Sequence, residues 1–414
     1  MIMNYFDDID RMFLTVTLTM VVTYIVYTIS VYLKNPQVLA GLIAGLIISH
    51  MHIPKHYFDI SSCGGLGDIG IALFMMLLGS QFDIKQLLKR KTDIFIPVLS
   101  IIIPFILGFL FAPILIKYDI EKYVNPEDTT IFCIFIGLMF SMTAFAVMSM
   151  FISQTEIMGS KIGNLAILCG SIDEFLFWVL LGIVLIFYQE SETLSHYAMY
   201  GAIAYVIITL FACPYLMRLI IPKITSDRGM MGFMIFGCFL SAVISDIVNL
   251  HVVFGAFLFG LMLPPDNRHI RNAKYQLQNL VALVLLPIYF VKAGMYTNLH
   301  FFFNTQVLIL GISVTLLATF GKFAGAFVTG TAMGYSKTES ILLGSLLNIR
   351  GVIEIMVINI GLELHIISVS VYSILVIMTL VSNFMATALS LRIHQFIQRR
   401  IRKAENRGQK KLYP

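Results

Sequence analysis

The chain has 414 residues, 58% of them hydrophobic and only 12% charged, with a formal net charge of +5 and a mean hydropathy of +0.87. No water-soluble globular domain of this size is so apolar. The sequence holds no phosphate-binding glycine loop, nucleophile elbow or zinc-ligand spacing, so nothing in it points to an enzyme, a cofactor or a nucleic-acid partner.

Apolar runs of about 20 residues, enough as helix to cross a hydrocarbon core of about 30 Å, recur along the chain. They are continuously apolar rather than alternating, which implies an all-α integral membrane protein in a lipid bilayer and excludes a barrel. The first run, 13–33, follows Asp7, Asp8 and Asp10 and lacks the basic start of a cleaved leader, so it is expected to be a retained span. Further spans are expected at 37–51, 65–84, 94–116, 130–153, 162–187, 197–219, 230–248, 252–264, 278–297, 306–333, 338–362 and 366–391, thirteen in all. One transmembrane domain therefore covers 1–391, and 392–414 forms a short basic tail. The five cysteines are odd in number and lie mostly within apolar runs, so neither disulfide nor metal site is expected.

An odd number of spans puts the termini on opposite sides. With the C-terminus cytoplasmic and the N-terminus outside, the inner segments collect 21 of the 28 basic residues, and the outer ones hold Arg11, Lys55, Lys117 and Lys122. That is the positive-inside asymmetry of a protein in the cell's plasma or inner membrane. The other three, Lys292, Lys322 and Arg350, fall inside apolar spans, as do the acids Asp173, Glu174, Asp246 and Glu354. Charges there are costly, so they face a protein interior or water and often mark an ion path; mutual pairing that only holds helices together is the plainer reading.

The fifth and twelfth spans have polar or glycine-interrupted middles, "SMTAFAVMS" (141–149) and "LGSLLNIRGVIE" (343–354). Their separation by seven spans is what two inverted repeats, joined by the seventh span, would give. Thr143 in the first interruption offers a hydroxyl to a dehydrated cation, although threonines in such helices commonly bond their own backbone. In the sixth span Asp173 and Glu174 stand about 100° apart on a helix and line adjacent parts of one cavity. Two carboxylates in a low dielectric cannot both ionise cheaply, so the pair can hold a small cation or protons, the basis of proton-coupled exchange. Asp246, near the outer end of the eighth span, guards or packs the pathway in this reading. Lys322, among small residues in "ATFGKFAGAF", has one of the two acids as its obvious partner. Arg350 and Glu354, four residues apart around Gly351, can pair along one helical face or serve the ends of a broken helix.

On these residues the sequence resembles the monovalent cation:proton antiporter-2 family, particularly its plant cation/proton exchanger branch and bacterial relatives. "NPQVLAGLIAGLIISH" (35–50), "GIALFMMLLGSQFDI" (70–84), "SMTAFAVMSMFIS" (141–153), "HVVFGAFLFGLMLP" (251–264), "LPIYFVKAGMYTNL" (286–299) and "LLGSLLNIRGVIEIMVINIG" (342–361) are similar to its motifs. The resemblance implies a homodimer with an inverted-repeat fold, interleaved core and dimerisation parts, crossed broken helices, and exchange of Na⁺ or K⁺ for H⁺. It implies that Glu174 binds the ion, that Lys322 pairs with Asp173 as in electrogenic members, and that Thr143 is the broken-helix threonine. Two departures stand out: the second acid is usually aspartate, and Lys292 replaces what is commonly a small polar residue. A channel-like K⁺ efflux pathway is the second reading, against which the short tail counts; a non-transporting sensor or assembly partner is the third.

Overall fold

The computed structural model describes residues 8–32, 40–51, 53, 58–82, 95–119, 129–153, 155–188, 195–248, 250–264 and 267–406. Regular structure among them is entirely helical. Among the described residues ten helices are long and apolar enough to cross a membrane, and Ala40–His50 and Val252–Met262 are shorter apolar ones. The expected twelfth span is the remaining one, split into two short halves, so every span read from the sequence has its helical counterpart among the described residues. By contacts the chain forms two compact units, one of Met1–Leu33, Leu39–Lys89 and Trp178–Thr297, the other of Lys34–Val38, Arg90–Phe177 and Asn298–Pro414.

The first unit contains α1 (Asp8–Tyr32), α2 (Ala40–His50) and α3 (Gly64–Gly79). It continues from the second half of α7 (Lys161–Tyr188) through α8 (Ser195–Ile207), α9 (Cys213–Ile220), α10 (Asp227–Ile247), α11 (Val252–Met262), α12 (Arg268–Leu280) and α13 (Leu286–Tyr296). Two joints within it are π-helical, Ile208–Ala212 and Val281–Leu285, and each lies immediately ahead of a proline-bearing helix start, Cys213-Pro214 and Leu286-Pro287. Proline has no N–H and its ring clashes with the preceding turn; a widened turn relieves both without ending the helix.

Small residues set how closely these helices pack. A Cβ at Gly79 of α3 would stand 2.2 Å from the Phe257 carbonyl oxygen of α11, and one at Gly260 of α11 would stand 2.1 Å from the Met76 oxygen of α3. Backbones that meet at such a distance gain dispersion contacts, the main source of helix association where lipid is as apolar as the side chains.

The second unit comprises α4 (Phe95–Tyr118), α5 (Thr129–Ser141), α6 (Phe145–Ser153), the first half of α7, α14 (Thr305–Ala332), α15 (Lys337–Leu347), α16 (Val352–Glu363) and α17 (Val369–Asn406). α15 starts on a capping box: the Ser336 hydroxyl accepts from the Glu339 N–H while the Glu339 carboxylate accepts from the Ser336 N–H. α4 packs against both α5 and α14, and α17 against α14 and α15. The last helix runs past 391, so the basic segment as far as Asn406 is a continuation of the thirteenth span.

Overpacking the α3–α11 contact should be expensive. Gly260→Val is expected to lower stability by about 1–3 kcal/mol, read as a lower midpoint of thermal unfolding in detergent, with Gly65→Ala, which meets nothing within 4 Å, as the neutral control.

Candidate ion-binding site

A helix interrupted in an apolar setting leaves carbonyls and N–H groups without helical partners at the cut ends. The second unit holds two such cuts, residues 142–144 between α5 and α6 and residues 348–351 between α15 and α16. They satisfy each other. The Ala144 N–H donates to the Ile349 carbonyl at 3.0 Å, and the Thr143 hydroxyl lies 2.7 Å from the Leu347 carbonyl oxygen. Arg350 donates from Nη1 to the Met139 oxygen at 2.7 Å and from Nη2 to the Phe140 oxygen at 2.8 Å, placing a cation on the negative C-terminal end of α5. The same guanidinium pairs with Glu354, whose carboxylate lies in the first turn of α16, where negative charge is favoured.

α7 brings the two acids to this junction. Asp173 accepts from Lys322 Nζ of α14 at 2.9 Å; its two oxygens are each 2.9 Å from Ser100 Oγ of α4, and Oδ2 is 3.0 Å from Thr143 Oγ1. Glu174 turns to another neighbour: its Oε2 accepts from the Phe145 N–H, the first residue of α6, at 2.7 Å. Both acids and Lys322 are buried, with 1% exposure or less. Glycines on α14 permit the arrangement, since a Cβ at Gly321 would come within 2.8 Å of Pro104 Cα and one at Gly325 within 2.9 Å of Ser100 Cα. α4 therefore sits close enough for Ser100 to reach Asp173 from one side while Lys322 reaches it from another.

Six of the residues singled out from the sequence, Thr143, Asp173, Glu174, Lys322, Arg350 and Glu354, thus converge in one unit. Asp246 is not among them: it belongs to α10 of the first unit, and its residue is exposed near the C-terminal end of that helix. Lys292 has a specific partner, Asp68 Oδ1 of α3 at 3.6 Å, within the first unit. Ser100 is the site residue that the sequence reading missed. Its signal, a lone hydroxyl in "FIPVLSIIIPF", becomes informative only once α14 is known to lie against it.

The class this defines is a multi-pass helical membrane protein whose buried ionisable groups gather where two interrupted helices meet. The family can be named more closely: the model of "Sodium/hydrogen exchanger, transmembrane" matches residues 16–391, and the chain belongs to that family. Among curated proteins it is 27% identical over 379 residues to the Na(+)/H(+) antiporter NhaS4 of Synechocystis sp., covering 87% of this chain and 92% of that protein. It is 27% identical to Cation/H(+) antiporter 18 of Arabidopsis thaliana (95% and 49% covered) and 28% identical to K(+)/H(+) antiporter 1 of Saccharomyces cerevisiae (86% and 43%). The chain thus spans about half the length of these last two. The solved structure of the sodium proton antiporter MjNhaP1 from Methanocaldococcus jannaschii superposes with a TM-score of 0.68, at 18% identity, over 94% of this chain and 99% of that one, a likeness of fold.

Arg350→Met strands the Glu354 carboxylate and the two α5 carbonyls, and is expected to cost about 3–5 kcal/mol of stability. Arg350→Met combined with Glu354→Leu removes the orphaned charge as well and should recover part of that loss; thermal unfolding of both variants checks the pair.

Proposed function

We propose that this chain is a secondary active antiporter, not an enzyme, that exchanges Na⁺ or K⁺ for protons. The observation that carries the reading is the division between adjacent carboxylates: Asp173 is bonded to an ammonium and has two hydroxyls within hydrogen-bond distance, while Glu174 meets the N-terminus of α6. In this reading Glu174 binds the cation and gives it up when protonated. Lys322 and Asp173 form a second, coupled proton carrier: a cation drawn to Asp173 displaces the ammonium, which loses its proton. Thr143 supplies an oxygen beside the cation, and Arg350 with Glu354 holds the helix junction in place. Family membership and the similarity to curated antiporters support the same reaction.

Two proton-binding groups against one cation make the cycle electrogenic, with more protons than cations moved. The protein works as a homodimer in the plasma or inner membrane, C-terminus cytoplasmic; the resemblance supports the dimer and the distribution of basic residues supports the orientation.

Two measurements in proteoliposomes test this. Glu174→Gln removes a charge whose attraction for a cation 4 Å away is about 4 kcal/mol at an effective dielectric of 20, so cation-dependent dequenching of a pH dye should fall more than about hundredfold. Exchange at the wild-type rate would remove Glu174 from the binding role. An imposed membrane potential of the favouring sign should accelerate wild-type exchange; insensitivity to potential would overturn the electrogenic cycle.

A further inference from the structure

Beside the ion pairs are two asparagines that the exchange reaction has not used. Asn348 is the C-cap of α15, at the edge of the 348–351 break, and Asn383 lies on α17. Both have 0% exposure, and the side-chain oxygen and nitrogen of each find no hydrogen-bond partner among the described protein atoms. An asparagine amide offers two donors and an oxygen acceptor, and buried polar groups in native proteins are satisfied by protein or by ordered water.

The two amides belong to one place. α17 is antiparallel to the broken span: Ser390 Oγ lies 2.8 Å from Ser345 Oγ, Tyr372 donates to Asn359 at 2.7 Å, and Thr379 stands beside the Glu354 carboxyl. Asn383 is four residues after Thr379 and seven before Ser390, so it shares their helical face to within about 40°. The same register carries it to the level of residues 350–352, inside the break and about one turn from Asn348. The residue before it, Ser382, touches Thr319, one turn ahead of Lys322 on α14. Arg350 Nε and Glu354 Oε2, at the same junction, are also buried without a hydrogen-bond partner among the described atoms.

The charges here choose the occupant. Lys322 and Arg350 repel a cation, and Asp173 and Glu354 already neutralise them, which leaves no excess charge for an anion. A neutral molecule that both donates and accepts fits, and water in a polar cavity makes about three such bonds. We propose that Asn348 and Asn383 hold a cluster of ordered water at the 348–351 break, and that this water is the route by which Lys322 gains and loses its proton. The Nζ–H bond breaks, its electron pair stays on nitrogen, and a water oxygen takes the proton; the reverse step restores the ammonium. The cation binds at the two carboxylates, and the proton released from Lys322 leaves through this water. The proton route rests on the antiport reading above; the water cluster does not.

The test has two arms on the full chain in lipid. X-ray radiolytic hydroxyl labelling, read by mass spectrometry, oxidises buried residues that touch ordered water. Leu347 and Ile349, both at 0% exposure, should be labelled in the wild type, while the dry core residues Leu42 and Leu78 are not. Labelling no higher than that of the dry core overturns the cluster, whatever the protein transports. In the second arm Asn383→Leu should slow cation/proton exchange at least about tenfold while leaving isotopic cation counterflow, which needs no net proton transfer, near the wild-type rate. Asn383→Ser, polar and with room for water, should retain both. Equal loss or equal retention of the two modes in Asn383→Leu overturns the proton route. If wild-type protein performs neither mode, the antiport reading fails instead, and the labelling still decides the water.

Discussion

The interaction on which the second unit depends is the mutual satisfaction of two cut helices. Each break exposes backbone groups that neither lipid nor an apolar core can pair, at a cost of several kcal/mol for each group left unmet. The Ala144–Ile349 hydrogen bond, the Thr143 contact to Leu347 and the two Arg350 bonds to α5 return those groups to partners without restoring the helices. What remains is irregular backbone in the interior, which membrane proteins tolerate only where protein or a cavity surrounds it. The junction also presents oriented helix ends to charged side chains, and the buried acids and bases are placed accordingly.

Charge at the junction is nearly balanced by design of position rather than by solvent. Lys322 meets Asp173 and Arg350 meets Glu354, while Glu174 is held against the N-terminus of α6 by a backbone N–H. Breaking a buried pair by removing one member leaves the other charge stranded, so each member constrains its partner's chemistry as well as its position. Ser100 adds to this by bringing a hydroxyl to both Asp173 oxygens, and it can do so only because Gly321 and Gly325 let α4 approach α14. Residues with no charge thereby decide how tightly a charged one is held.

The spans and both interruptions were legible in the sequence, because a hydrocarbon core imposes a length and composition that hydropathy reports directly, and because glycine and polar residues mark where a helix is cut. Asp173, Glu174 and Lys322 announced themselves by the cost of carrying charge in an apolar run. Which way a polar side chain faces was not legible. Asp246 and Asp173 have similar apolar contexts, yet one is exposed and the other buried beside a lysine. Lys292 lacked an evident partner because Asp68 lies more than 200 residues earlier and meets it only through helix packing. Ser100, Asn348 and Asn383 were silent for the same reason: single neutral polar residues acquire meaning from the helix laid against them.

Thr143 carries a consequence of its own. Its hydroxyl has one hydrogen, and two acceptors stand within reach, Asp173 Oδ2 at 3.0 Å and the Leu347 carbonyl at 2.7 Å. Serving the ionised carboxylate means leaving the carbonyl that closes α15; serving the carbonyl means leaving the carboxylate. A single hydrogen thus ties the carboxylate on α7 to the end of α15, and only one of the two acceptors can hold it at a time.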